Sequence, residues 1–231
     1  MDNPSCSQPL VEIHADKMQL PVHKLIGALV MTNTKTDRTT YGTGVLISPN
    51  IVLTAAHNIF DVEARETFQD VKFYLGQMGV LDKFIQVESH FFPPEHRLNP
   101  KAENDWAILK LKKNSMEKNF LPLRSDLRKL TTNGKFFISG YPEAKYNKIA
   151  SIKGSGSVSQ WGVGSTSISI VDIRENSSEL IYNLPAMKGL GGTPVVCVDG
   201  YNRISIVGVH RGGLRRGKGE CSSNCGMLLT E

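Results

Sequence analysis

Val52-Leu53-Thr54-Ala55-Ala56-His57 is a short aliphatic run that ends in small residues and delivers a histidine. A strand that stops this way holds an imidazole at its end, where a scaffold can use it as a general base. Alone, such a histidine is more often structural. It gains weight from Asp105, which opens Asp105-Trp106-Ala107-Ile108-Leu109-Lys110-Leu111, a second apolar run with an acid at its mouth. An aspartate beside a histidine fixes the imidazole tautomer and stabilises the imidazolium. A third piece suits that pair: Lys188-Gly189-Leu190-Gly191-Gly192-Thr193-Pro194, a glycine-rich turn leading into the run Val195–Val198. A tight turn of this kind can aim two backbone N–H groups at a developing oxyanion.

Working outward, the chain keeps the same short-strand texture. Runs such as Leu25–Met31, Gly44–Ile47, Phe136–Gly140 and Ile204–Val209 are rich in Val, Ile and Phe, and turn signals such as Ser48-Pro49-Asn50 and Asp199-Gly200 separate them. About thirteen such runs at this spacing predict an all-β protein of sandwich or barrel type. Helical signal is sparse: Ala56–Phe60 allows one turn, and Lys112–Leu121 reads as a short helix or a polar linker. The stretch 112–130 divides the runs into two groups of similar number.

Composition narrows the function classes. Of 231 residues, 40% are hydrophobic and 21% charged, enough apolar material for a core and too much for wholesale disorder. The formal net charge of +5 is modest for this length; it permits an acidic partner without arguing for nucleic acid. Cys6, Cys197, Cys221 and Cys225 are too few for a disulfide framework. Cys221 and Cys225 with His210 and Cys197 lack the second matched pair of a structural zinc site, so neither metal nor cofactor is expected. No window offers the roughly 18 apolar residues of a membrane helix. Met1–Leu20 carries Asp2, Glu12 and Asp16 with no apolar core, so no signal peptide is expected. The corresponding expectation for location is the cytoplasm or a cytosol-connected compartment such as cytoskeleton or cilium.

Taken in chain order, the Thr-Ala-Ala-His57 run, the Asp105 strand and the Gly189–Pro194 turn resemble the chymotrypsin-fold, trypsin-like serine endopeptidases over about residues 20–231. Within that family, Ile138-Ser139-Gly140-Tyr141-Pro142 and Gly208-Val209-His210-Arg211-Gly212-Gly213 are most similar to the glutamyl-endopeptidase-like branch. The resemblance implies two packed antiparallel six-stranded β-barrels with little helix. Residues 1–19 would form an N-terminal extension, 20–118 the first barrel, 119–129 a linker and 130–231 the second barrel. It implies that His57 is the general base, Asp105 its orienting acid, and Gly189 and Gly191 the oxyanion-hole donors. Ala186, His210, Gly212 and Gly213 would line the substrate cleft.

One departure decides the functional expectation: the position of the attacking serine is Gly191. Glycine has no hydroxyl, so no acyl-enzyme can form. Loss of a triad member leaves about 10³–10⁴-fold acceleration over water, negligible against an intact enzyme. Leu190 replaces the aspartate that receives the freed N-terminus in digestive members, and Ala186 replaces a hydroxyl that helps hold a glutamate substrate. The family's usual C-terminal helix is not seen before Glu231. The expectation is therefore an inactive homologue acting as a binding or structural component of a protein assembly. Two alternatives stand beside it: an active endopeptidase whose serine has been substituted, and a basic adaptor for acidic protein surfaces. Arg211, Arg215, Arg216 and Lys218 are the candidate partner-binding cluster.

Overall fold

Strands dominate the computed structural model, which describes residues 10–14, 16–17, 20–76, 79–80, 83–125, 134–142, 157–158, 161–163, 170–174, 179–183, 188–213 and 223–228. The first half runs β1 (Leu10–Glu12), α1 (Pro21–Leu25), β2 (Ile26–Asn33), β3 (Arg38–Ser48), β4 (Ile51–Thr54), β5 (Phe60–Asp61), β6 (Glu66–Thr67), β7 (Asp70–Leu75), β8 (Gly79–Val80), β9 (Ile85–Phe91), α2 (Glu95–Leu98) and β10 (Ala107–Leu111). The second runs β11 (Lys135–Gly140), β12 (Ser157–Val158), β13 (Trp161–Val163), β14 (Ile170–Arg174), β15 (Glu179–Asn183), β16 (Pro194–Val198), β17 (Ile204–Gly213) and β18 (Ser223–Leu228).

Six strands close a barrel in the order β10-β4-β3-β2-β7-β9. Alternate residues point inward, and Leu29, Met31, Val45, Leu53, Phe73 and Leu109 fill the interior. Each such buried side chain contributes about 1.5–3 kcal/mol relative to exposure. The remaining large sheet has eight strands in the order β1-β13-β11-β16-β17-β18-β15-β14. The chain thus adopts the two-unit, all-β architecture with little helix that its sequence implies. Among the described residues the second unit is a curled, half-barrel sheet of eight strands, which with the closed barrel matches the expected two-barrel architecture.

Several local features follow from residues that carry no hydrophobic signal. β3 extends back to Arg38 because its polar half pairs with β2 through Met31↔Thr40, Thr32↔Thr39 and Asn33↔Arg38. The hairpin turn is held by Asn33, whose Oδ1 accepts the N–H groups of Lys35 and Thr36, and Asp37 takes φ 54°. From the segment 1–19, Leu10–Glu12 pairs with Val163–Trp161 and joins the second sheet. The polar stretch after β10 forms no helix within residues 112–125; it is stitched to β17 by Ile206 N–H to Pro122 O and Arg124 N–H to Ile206 O, each 2.9 Å.

The site is placed by register. β4 and β10 pair with Ala107 opposite Thr54, so the residues just beyond β4 meet those just before β10. The first of these are Ala55 and the 3₁₀ turn Ala56–Asn58; the others include Asp105. The glycine turn 188–193 enters from the other unit, immediately before β16.

Candidate active site

Asp105 is 2% exposed and stands under His57. Its Oδ1 accepts the His57 backbone N–H at 2.9 Å, and its Oδ2 lies 2.9 Å from His57 Nδ1. With Nδ1 tied to a carboxylate, Nε2 is turned to the glycine turn at Gly191, and the His57 side chain is 37% exposed. Burial alone would pull the His57 pKa down, but the Asp105 charge and hydrogen bond outweigh it and raise it, while Arg211 works against them. Burial alone would push Asp105 up; the charge of His57, the two hydrogen bonds from it and the nearby His96 instead hold it at about 2.

The glycine turn is anchored from beneath. Gly191 O accepts the Thr43 N–H at 2.9 Å and Asn58 Nδ2 at 2.8 Å, and Gly189 O accepts the Thr43 hydroxyl at 2.9 Å. Thr43 Oγ1 in turn accepts the Tyr141 N–H at 2.9 Å, so Thr43 ties the turn to both units. Gly192 has φ 86°, and a Cβ there would collide with Thr43 O and Thr54 Oγ1, so the turn demands glycine at this point. Gly191 packs against His57: a Cβ added to it would run into Nε2 and stand 2.8 Å from Cε1. Gly191 therefore does more than omit a hydroxyl. Its backbone stands closer to the imidazole than a side chain at this position would allow.

His210, expected to line the cleft, is instead 1% exposed. Its Nδ1 lies 2.6 Å from the hydroxyl of Tyr182, which reaches it from β15 across β18. Gly226 of β18 sits opposite His210 and makes this reach feasible, since a Cβ there would stand 3.1 Å from the Tyr182 hydroxyl. Burial, reinforced by the charge of His57, lowers the His210 pKa to about 3, so the ring is neutral near neutral pH. Further along β17, Gly212 has φ 146° and its Cβ would meet open space. Gly213 ends the strand.

Arg211, expected in a partner-facing cluster, is turned inward. Its Nε donates to Asp105 Oδ2 at 3.2 Å and its NH2 group to Pro100 O at 2.7 Å. A buried carboxylate attracts the nearest cation more strongly than solvent does, and Arg211 has the reach to cross from β17. Ala186, Arg215, Arg216, Lys218, Cys6 and Cys221 lie outside the described residues. Among the described residues no group of His, Cys, Asp and Glu is arranged to hold a metal.

Four participants escaped the sequence reading: Thr43, Asn58, Tyr182 and His96. Asn58 directly follows His57, which is the one sequence cue to it. His96 is 1% exposed, packs edge-on against Phe60 and Phe92, and sits 4.0 Å from Asp105 Oδ1. Neither of its ring nitrogens makes a full side-chain hydrogen bond, though the Asn104 backbone approaches it, and burial lowers its pKa.

Asp105→Ala would leave the His57 N–H groups and the Arg211 guanidinium without their shared acceptor. Partial exposure of both partners reduces the penalty of a broken buried pair to about 2 kcal/mol. For a domain of this size that is a thermal midpoint lower by about 4–8 °C. Adding Arg211→Met to Asp105→Ala should recover part of the loss. A drop below about 2 °C in Asp105→Ala would show that the carboxylate does not hold the cleft together.

A family model described as Trypsin matches residues 24–225. A solved structure of a Glu endopeptidase in complex with MPD superposes with a TM-score of 0.69 at 22% identity, covering 97% of this chain and 92% of that one. No curated protein matches the chain.

Proposed function

From a chain that belongs to the trypsin family and carries glycine beside its histidine, we propose a catalytically inactive serine-protease homologue that serves as a protein-binding or structural component of a larger assembly. The observation that carries this reading is Gly191 against Nε2 of His57, with no space for the Cβ of any nucleophile. The nearest hydroxyl downstream is Thr193, which is fully buried, so it offers no replacement. Cys197 is also fully buried, inside β16. A catalytic cycle through an acyl-enzyme has no atom to begin on.

The intact Asp105–His57 pair is the observation that favours the second reading, an endopeptidase whose serine has been substituted. Its geometry is what a general base requires, and nothing in the pair itself is degraded. The inward turn of Arg211 weighs the other way. It places a permanent cation on the same carboxylate oxygen that orients the imidazole.

Hydrolysis of activated peptide esters by the unaltered protein separates the two. The expected result at pH 8 is at most a residual acceleration of about 10³–10⁴-fold over water, unchanged in His57→Ala. Turnover that disappears in His57→Ala would sink the inactive reading.

A further inference from the structure

We infer that a depression between the β2–β3 hairpin, the β5–β6 hairpin and α2 binds the phosphoryl group of a phosphorylated side chain on a partner protein. Its lining includes Lys35 of the first hairpin, Phe60, Arg65, Glu66 and Thr67 of the second, and Arg97 of α2. His57, Asp105 and Gly191 take no part in it, so the site is separate from the cleft. The inference rests on the protein-binding reading and names the chemistry of the partner.

The charges of the lining do not cancel. Glu66 is its one carboxylate, and it is already satisfied: Lys35 Nζ stands 2.7 Å from Oε1, and Asn33 Nδ2 donates to Oε2 at 3.4 Å. The Lys35 hydrogen bond holds the Glu66 carboxyl below its usual range. Asp61, on β5, is likewise taken by Arg38 at 2.9 Å and by the N–H groups of Glu63 and Ala64. Arg65 and Arg97 have no carboxylate partner among the described residues. Two uncompensated guanidinium groups match a phosphomonoester, which carries about −1.5 to −2 near pH 7. A carboxylate would neutralise only one of them.

Both arginines are held in place before any ligand arrives. The Arg97 guanidinium carbon lies over the rings of Phe60 and Phe92, 5.7 and 5.1 Å from their centroids. A stacked guanidinium keeps its in-plane N–H fork for an anion and loses little freedom on binding one. Arg65 sits in the turn that closes β5 and β6 with φ 53°, a conformation rare outside glycine. Asp61 Oδ1 fixes that turn by accepting the two preceding N–H groups. Gln69, also in the lining, joins the walls: its Oε1 accepts the Thr34 N–H at 2.9 Å, and its Nε2 donates to Thr67 O.

Size favours a group carried on a protein over a free metabolite. The depression holds about 220 Å³. Pockets that take a whole drug-sized ligand run to roughly 300–1,000 Å³, so this one accepts a group and leaves the rest of its bearer outside. Phe60 supplies the apolar part of the lining, which suits the carbon stem of a side chain and offers nothing to an inorganic ion.

The test is an NMR titration of the full chain, read from the Nε–H resonances of Arg65 and Arg97. The probes are a glycine-flanked phosphoserine peptide blocked at both ends, its serine and glutamate counterparts, sodium phosphate and a short single-stranded DNA. The phosphopeptide is expected to bind about tenfold tighter than the glutamate peptide or sodium phosphate, and the serine peptide more weakly than either. Arg65→Gln and Arg97→Gln should each weaken it about tenfold, read from the arginine that remains. Arg97→Lys should restore only part of the loss, because an ammonium lacks the planar fork. Lys113→Gln removes the same charge outside the depression and should change nothing; all three side chains are exposed, so the core is untouched. Equal binding of the phosphoserine and glutamate peptides, phosphate binding as tightly as the phosphopeptide, or an equal loss in Lys113→Gln would overturn the proposal. DNA that binds tighter than the phosphopeptide and is lost in both arginine variants would also overturn it, by assigning the site to nucleic acid. Ester hydrolysis is followed in the same samples. Turnover dependent on His57 counts against the inactive reading, whereas absent turnover with absent binding counts against the phosphoryl site alone.

Discussion

Gly191→Ser is expected to hydrolyse activated peptide esters at least about 1,000-fold more slowly than a working Glu endopeptidase assayed on the same ester. Two features of the cleft combine to this figure. The first is distance: the new Cβ would run into Nε2 of His57 and lie 2.8 Å from Cε1, so either the turn or the imidazole must move. The turn resists, because Thr43 and Asn58 grip the carbonyls of Gly189 and Gly191. The imidazole resists too, because Asp105 holds both its Nδ1 and its backbone N–H. A displacement of about 1 Å between reacting groups costs on the order of 100-fold. The second feature is Arg211, which shares Asp105 Oδ2 with His57 Nδ1 and lowers the basicity of the ring. Loss of the aspartate's service in a triad costs up to about 10⁴-fold, and sharing it with a cation is expected to cost about 10–100-fold. Gly191→Ser combined with Arg211→Ser should therefore recover about 10–100-fold over Gly191→Ser alone. If Gly191→Ser by itself comes within tenfold of the working enzyme, the site is intact apart from its hydroxyl, and the substituted-endopeptidase reading gains.

How much of this was legible in the sequence depends on what kind of signal each residue leaves. Val52–Thr54 and Ala107–Leu111 are apolar runs that stop at their functional ends, so the histidine and aspartate stand out beside them, and their strands pair in the register that brings them together. The polar half of β3 leaves no such signal, because Arg38–Tyr41 is held by backbone pairing and its side chains are mostly outside the core. α1 was likewise unmarked, being one short turn opened by Pro21 with no side-chain cap. Arg211 was assigned to the wrong side of the surface for a different reason. A cationic stretch reads the same whether its members face solvent or a buried carboxylate, and only the fold puts Asp105, 106 residues away, within 3.2 Å of it. The Tyr182–His210 contact needs Gly226 to let the ring pass, a three-strand coincidence that no local pattern encodes.

That contact carries the largest stability effect expected of the protein. His210 has a folded-state pKa of about 3, depressed by burial and then by the charge of His57. An imidazole in the unfolded chain titrates near 6.5. The unfolded state therefore takes up a proton that the folded state refuses. Stability is complete above about pH 6.5, falls as pH drops below it, and has lost about 4–5 kcal/mol from this group by pH 3. Asp105 does not contribute to the early part of that fall. Its folded pKa of about 2 means its contribution is present above about pH 4 and is lost only as pH drops toward 2. His57 acts in the opposite sense, since its raised pKa favours the folded state once the ring is protonated. Between pH 7 and 4 His210 acts with the same sign as His96 and His90, whose pKa values burial also lowers, and His57 offsets part of the fall. Urea midpoints at pH 7, 5.5 and 4 should fall steadily in the unaltered protein, by an amount equivalent to about 2–3 kcal/mol. His210→Gln keeps a polar partner for the Tyr182 hydroxyl and removes this titrating group, so its midpoints should fall clearly less steeply over the same range. Parallel slopes in the two proteins would mean that His210 is protonated in the folded chain, and that the Tyr182 hydroxyl accepts a hydrogen bond from it.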